Sequence, residues 1–268
     1  MKANLGITTG LLVLLAACGG EAPATDGQEG EAASAEMSAE QDGATGVSGY
    51  TVIDVADGGV IRGTVTFVGT VPAPRSVSVS EDTDTCGEER EIHGLRVGEN
   101  GGLMHSVVSL IDITAGARLE APSTPPTLDQ RGCAFEPHIL LAPVNQVVEV
   151  LNNDPITHNI HTVAFANRPI NRAQPSRLKK IDVSFTVAEK VRVRCDMHEW
   201  MGAWIVVMDH PYHAVTDATG GFVLENVPPG TYTMEVWHET LGAVTQEVSV
   251  TAGEISEVDV EMESSGQQ

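Results

Sequence analysis

Short runs rich in Val, Ile and Thr, each bounded by Gly, Pro, Asn or Asp, recur from Val60 almost to the end of the chain. Few segments repeat their apolar residues at helical spacing. Alternation with a period of two between turn signals restricts such a chain to strands, so an all-β fold is expected, with sheets stacked face to face. The expected strands include Val60 to Phe67, Ser106 to Ile113, Ile139 to Leu141, Val147 to Leu151, Val183 to Val187, Lys190 to Cys195 and Trp204 to Met208.

The N-terminal residues read as an address and a tether. Lys2 precedes a mostly apolar stretch from Leu5 to Ala17. That stretch is shorter than the about 20 residues a spanning helix needs, which points to a secretory signal over residues 1–17. Leu15-Ala16-Ala17-Cys18 resembles the lipobox of bacterial lipoproteins, which implies a lipidated Cys18 and a membrane anchor. With Gly19 in place of Asp, the resemblance implies the periplasmic face of the outer membrane. Residues 18–49 hold no aromatic side chain and are dominated by Ala, Gly, Glu, Ser, Asp and Gln, so a disordered acidic tether is expected there. The formal net charge of -22 describes that tether and a solvated surface, and excludes nucleic acid as a natural partner. About 215 residues remain, enough for one large or two small domains, with a short tail at 265–268.

Removing Cys18 leaves Cys86, Cys133 and Cys195 in an oxidising compartment. Cys86 and Cys133 have no histidine at metal-ligand spacing and sit in turn-like contexts, TCGEE and RGCAF, so they form the natural disulfide. Cys195 is then free to be a thiolate. It opens CDMHEWM, where His198 and Met201 follow at intervals of three, and THNIHTV about forty residues earlier offers His158 and His161. A thiolate with two imidazoles and a weak axial thioether favours a copper electron-transfer site, whereas zinc rarely recruits methionine. In VRVRC, alternation puts Val191, Val193 and Cys195 on one face and Arg192 and Arg194 on the other.

CDMHEWMGAWIVVM resembles the amicyanin-type ligand loop of the cupredoxin (blue copper) family, and THNIHTVAF resembles the upstream His-Asn block of the same family. The resemblance implies a Greek-key β-sandwich holding one type 1 copper ion through His158, Cys195, His198 and Met201. His161 is left as a near neighbour and alternative ligand. Asn159 matches the residue whose side chain crosses to the cysteine loop. Thr157 and Glu199 stand where the family often has proline.

Beyond Asp209, TDATGGF, ENVPPGTYTMEVWHE and VTQEVSV alternate between turn signals and resemble the carboxypeptidase regulatory-like, prealbumin-like sandwich, marked by Phe222, Pro229, Gly230, Thr231 and Tyr232. The expected division is a copper domain over 50–208 and a regulatory-like sandwich over 209–264. GGVIRGTVTFVGTVP also resembles that sandwich's first strand, so residues 59–68 could belong to it, with the copper domain inserted. Asp217, His238 and Glu239 have no nucleophile or second carboxylate at informative spacing and do not make an acid-base site. The remaining histidines, His93, His105, His138, His210 and His213, read as surface or hydrogen-bonded core.

A one-electron carrier facing a periplasmic or membrane redox protein is thus the leading expectation, with no enzymatic activity. A copper-binding or storage module and a metal-free adhesion scaffold are the alternatives. Eight of the fifteen Lys and Arg residues fall between Arg168 and Arg194, so the loop from Arg168 to Lys180 is expected to border an exposed edge of His198. Met197 and Trp200 would add apolar contact there.

Overall fold

The computed structural model describes residues 49–264. Cys18, the signal and tether segments and the tail lie outside the described residues. Among the described residues the only α-helical element is the turn Thr83–Cys86, and strands form the rest of the framework.

One pair of sheets occupies the middle of the chain. Its four-stranded sheet runs Lys180–Ser184, Val147–Asn152, Thr127–Gln130, Phe135–Glu136, and its five-stranded sheet runs Asn171–Gln174, His158–Val163, Glu189–Arg194, Gly202–Met208, Ile139–Pro143. Alternate residues of both sheets turn inward, as the period of a strand requires. Leu128, Val148, Val150, Ile181 and Val183 thereby share one core cluster with Ile160, Val191, Val193, Ala203 and Ile205. The expected strand 183–187 begins three residues earlier, because Lys180 already pairs with Leu151. The two lysines at 179–180 hide that start from a reading of hydrophobicity.

A second pair of sheets draws on both ends of the described chain. One sheet runs His213–Val215, Val107–Leu110, Gly230–His238, Gly242–Val250; the other centres on Gly59–Val68, flanked by Gly221–Val227 and Ile255–Glu257 and also paired with Val260–Glu263. Ile61, Val65, Val108 and Leu110 lie in one core cluster with Leu224, Met234, Val236, Val248 and Met262. The linear boundary expected at 208/209 therefore does not follow the hydrogen bonding. Strands 59–68 and 107–110 pair with the C-terminal elements, and the middle of the chain leaves and re-enters this sandwich. Parallel pairing of residues nearly 200 positions apart in sequence leaves no periodicity of its own, and only the likeness of residues 59–68 to that sandwich's first strand points to it.

The change of partner along Gly59–Val68 depends on Gly63. A Cβ there would lie 1.7 Å from the carbonyl oxygen of Val258, at the crossover between the two parallel partners. A smaller cluster of Val107, Ile139 and Val206, with Trp204 and Trp237 against it, joins the outer face of the five-stranded sheet to the second sandwich. The two indoles meet edge to face at 4.8 Å.

Two histidines of this framework give it a pH dependence. Burial, reinforced by the neighbouring His138, pushes His105 down to about 4. Burial, reinforced by His210, pushes His213 down to about 3. Each ring binds a proton more readily in the unfolded chain, so the stability it contributes is complete above its ordinary 6.5 and lost as pH falls towards the folded value. The melting temperature of the metal-free protein should hold above pH 7 and fall between pH 6.5 and 4.5, at about 2–4 °C per kcal/mol for a chain of this size. His105→Gln with His213→Gln should flatten that slope in thermal melts. An unchanged slope in the double variant would contradict the assignment.

Candidate metal centre

The strand Glu189–Arg194 delivers the thiol. Val191 and Val193 are buried, Arg192 and Arg194 are exposed, and Cys195 continues the inward face at 2% exposure. Two backbone bonds then turn the following loop back on itself: Met201 N–H donates to the His198 carbonyl at 2.9 Å, and Cys195 N–H donates to the Met201 carbonyl at 3.3 Å. Spacing of three residues thus returns His198 and Met201 beside the thiol. Met201 is buried in the same core cluster as Cys195.

His158 opens the neighbouring strand His158–Val163 and is fully buried. Its Nδ1 lies 2.9 Å from His198 Nδ1, and Cys195 Sγ lies 3.7 Å from that same His198 nitrogen. The three donor atoms fall within 4.8 Å of one another. His161, three residues along, faces the other way by strand alternation. Its Nδ1 meets both oxygens of Asp196 at 2.8 Å and lies beside Arg194 on the outer face. The structure therefore brings His158, and not His161, to Cys195 and His198.

The far side of each ring carries information that the sequence motifs do not. His158 Nε2 lies 2.9 Å from Asp154 Oδ2, and His198 Nε2 lies 3.2 Å from Asp82 Oδ2. Burial pushes the Asp154 carboxyl up, but the N–H groups of Cys133 and Gly132 at 2.8 and 2.7 Å and the His158 ring outweigh it and hold the carboxyl below its ordinary value. An ionised carboxylate can only accept, so it fixes the proton on His158 Nε2. His158 is itself pushed down by burial, favouring the neutral ring. With the proton on Nε2, the Nδ1 lone pair faces the cluster. At 2.9 Å the two buried Nδ1 atoms, beside a thiol, need a proton or a metal ion between them. The donor set fits a soft to borderline cation, and the carboxylates on the outer nitrogens orient metal-binding imidazoles in the usual way.

Asn159 ties the two blocks together. Its Oδ1 accepts from the Asp196 N–H at 2.6 Å and its Nδ2 donates to Asn171 Oδ1 at 2.9 Å, which locks the residue after His158 to the residue after Cys195. Cys86 and Cys133 are bonded, with Cα atoms 5.5 Å apart, as expected. Cys133 also falls near Asp154 and His158, but its sulfur is in the disulfide and is no separate ligand.

One expectation fails. His198 has no exposed edge: the ring is at 0% exposure, with Asp82 on its Nε2 and the Trp200 ring 5.1 Å away. Asp82 leads the helical turn Thr83–Cys86, which the disulfide ties to the Cys133 turn. The long segment upstream of Asp129 thus covers the ring edge that the basic loop was expected to border. Asp82 and Asp154 were missed in the sequence; the only signal for Asp154 was its place four residues before His158 in NNDPITH.

A family model described as the carboxypeptidase regulatory-like domain matches residues 201–263. The strands Gly59–Val68 and Val107–Leu110, which complete its sheets, lie outside that match. No curated protein matches the chain. Among solved structures, the chain is similar to a copper-containing nitrite reductase from Thermus scotoductus SA-01, at 20% identity and TM-score 0.31 over 35% of this chain. It spans only 25% of that reductase. A mutant of amicyanin in its Cu(I) form matches at 21% identity and TM-score 0.30, over 33% of this chain and 87% of that one. A purple cupredoxin from Nitrosopumilus maritimus matches at 18% identity and TM-score 0.27, over 31% and 99%.

Proposed function

We propose that this chain is a copper protein that transfers single electrons, with one type 1 ion held by His158, Cys195, His198 and Met201. The observation that carries the reading is the meeting of two buried Nδ1 atoms and a buried thiol, each imidazole held from behind by a carboxylate. Copper bound there supplies a one-electron couple between Cu(I) and Cu(II). The protein's part is to fix donors that would otherwise rearrange with oxidation state. Asn159 and the Met201 and Cys195 backbone bonds hold the loop, and the valine core excludes water. Every donor residue is buried, so the site offers no open position for a substrate, and a carrier is favoured over an enzyme. Cys18, if lipidated, would anchor the chain to a membrane outside the cytoplasm, facing a periplasmic or membrane redox protein.

Adding Cu(II) to the metal-free protein should produce one equivalent of an intense visible thiolate-to-metal band. A chain that takes up no copper, or binds it without the band, would refute the reading. Met201→Gln should keep the band and lower the midpoint potential in a redox titration, since the axial thioether is weak and mainly tunes the couple. An unchanged potential would assign Met201 to the core alone. The buried His198 edge favours a second reading, copper storage without a redox partner, because a covered ring is a poor port for a protein docked on that edge.

A further inference from the structure

With His198 sealed, Trp200 offers another way to the centre. Its ring lies 5.1 Å from the His198 ring, its Nε1–H donates to the Cys133 carbonyl at 3.0 Å, and it lines a cleft of about 1300 Å³ that His198 does not reach and whose floor Cys195 and Met201 touch at only 2% exposure each. The walls come from the outer face of the five-stranded sheet, the strands Arg75–Ser78 and Glu89–Ile92, and the second sandwich. In a chain with 15 Lys and Arg against 37 Asp and Glu, this cleft collects six arginines beside six carboxylates, a far higher share of cations than the chain as a whole.

Their pairing decides what the cleft can take. Arg131 is neutralised by Asp129 at 3.0 Å and Arg194 by Asp196 at 3.2 Å. On the acidic side, Glu239 is held by His138 and Trp204, and Glu91 lies 3.4 Å from His93. Arg90 donates only to the carbonyls of Cys86, Gly132 and Cys133. Arg75, Arg96 and Arg192 have no carboxylate within 4.0 Å among the described residues, so with Arg90 they leave four guanidinium groups whose N–H donors no carboxylate takes up, while Glu91, Glu136, Glu199 and Glu239 line the same cleft without an arginine partner. Guanidinium forks recognise carboxylate and phosphate geometry, and their uncommitted N–H groups keep that capacity here.

We infer that the cleft binds a small anionic redox molecule through its uncommitted guanidinium groups and that Trp200, beside the nearly buried Cys195 and Met201, is its contact with the centre. The inference rests on the reading of that centre as a one-electron site. A recess of this volume, only somewhat above the about 300–1,000 Å³ of common ligand sites, suits a molecule better than the convex face of a folded protein.

The full metal-free chain is titrated calorimetrically with hexacyanocobaltate(III), a redox-inert trianion. Saturable binding is expected, weakening at least about tenfold, or about 1.4 kcal/mol, in Arg75→Ala with Arg192→Ala. Arg168→Ala with Arg177→Ala, which lie outside the cleft, should leave it unchanged. Copper-loaded, reduced protein is then oxidised by hexacyanoferrate(III), which takes one electron from Cu(I) and leaves as hexacyanoferrate(II). Trp200→Leu should slow this about tenfold or more at saturating oxidant while the visible band and anion affinity persist, since one decade corresponds to about 1.4 kcal/mol of barrier. Trp200→Phe, which keeps a ring against His198, should restore most of the rate and guards against a folding defect in the leucine variant. No anion binding, or binding indifferent to Arg75 and Arg192, would overturn the cleft. An oxidation rate indifferent to Trp200→Leu would overturn the contact. Anion binding that follows the arginines in a chain that forms no visible copper band would leave the cleft standing and remove the one-electron centre instead.

Discussion

Cys195→Ser is expected to abolish the visible band of the copper-loaded protein and to release copper to a modest chelator that the parent protein resists. Cys195 is the free cysteine of the described residues, buried at the end of an inward valine face. Its sulfur lies 3.7 Å from His198 Nδ1, and Cys133, the other cysteine near His158, has its sulfur in the disulfide. A serine hydroxyl stays protonated near neutral pH and offers a hard oxygen, a poor donor for Cu(I). Exchanging sulfur for oxygen hardly changes volume, so the metal-free variant should keep its strand spectrum and melt within a few degrees of the parent. That separates loss of the ligand from loss of the fold. Absorption at fixed copper content is the measurement, and a serine variant that stays coloured would remove Cys195 from the centre.

How much of this was legible in the sequence depended on how local the signal was. Three residues of the loop, Cys195, His198 and Met201, share one short segment whose closing turn is written in its own backbone bonds. The inward thiol was legible too, because strand alternation through Val191 and Val193 fixes which way Cys195 points. The choice of His158 over His161 needed the register of the strand His158–Val163, which the resemblance to known ligand blocks implied and which the distances to His198 and Asp196 now place on opposite faces. Asp82 could not have been found. It lies 116 residues from His198 in sequence, on a four-residue turn with no periodicity, and reaches the ring because a disulfide and a strand pair carry it there. The same limit applies to the arginine cleft. Alternation shows that Arg192 and Arg194 face outward, but not that Arg75, Arg90 and Arg96 meet them across a gap built by non-local pairing.

Removing the disulfide should be the most damaging change to stability and should also uncover the centre. Cys86 and Cys133 are 47 residues apart, and in the chain-entropy model closing a loop of that length is worth about 4 kcal/mol. At about 2–4 °C per kcal/mol, Cys86→Ala with Cys133→Ala should lower the melting temperature by about 8–16 °C. The second consequence follows from where the bond sits. Cys86 ends the helical turn that begins next to Asp82, and the Cys133 backbone holds both the Asp154 carboxylate and the Trp200 indole. Without the link, Arg90 and the pairing of Arg75–Ser78 with Glu89–Ile92 remain to keep the turn near the site. The Asp82 cover should therefore loosen without the sandwich unfolding. Carbethoxylation of the metal-free protein by diethyl pyrocarbonate, followed by peptide mapping, reads this directly. His198 should be protected in the parent and modified in the double alanine variant at a temperature where both are folded. His158, buried on the other side of the cluster and held by Asp154, should react more slowly than His198 in that variant. Equal protection of His198 in both proteins would show that the core and Trp200 alone seal the ring, and that the disulfide serves stability without guarding the centre.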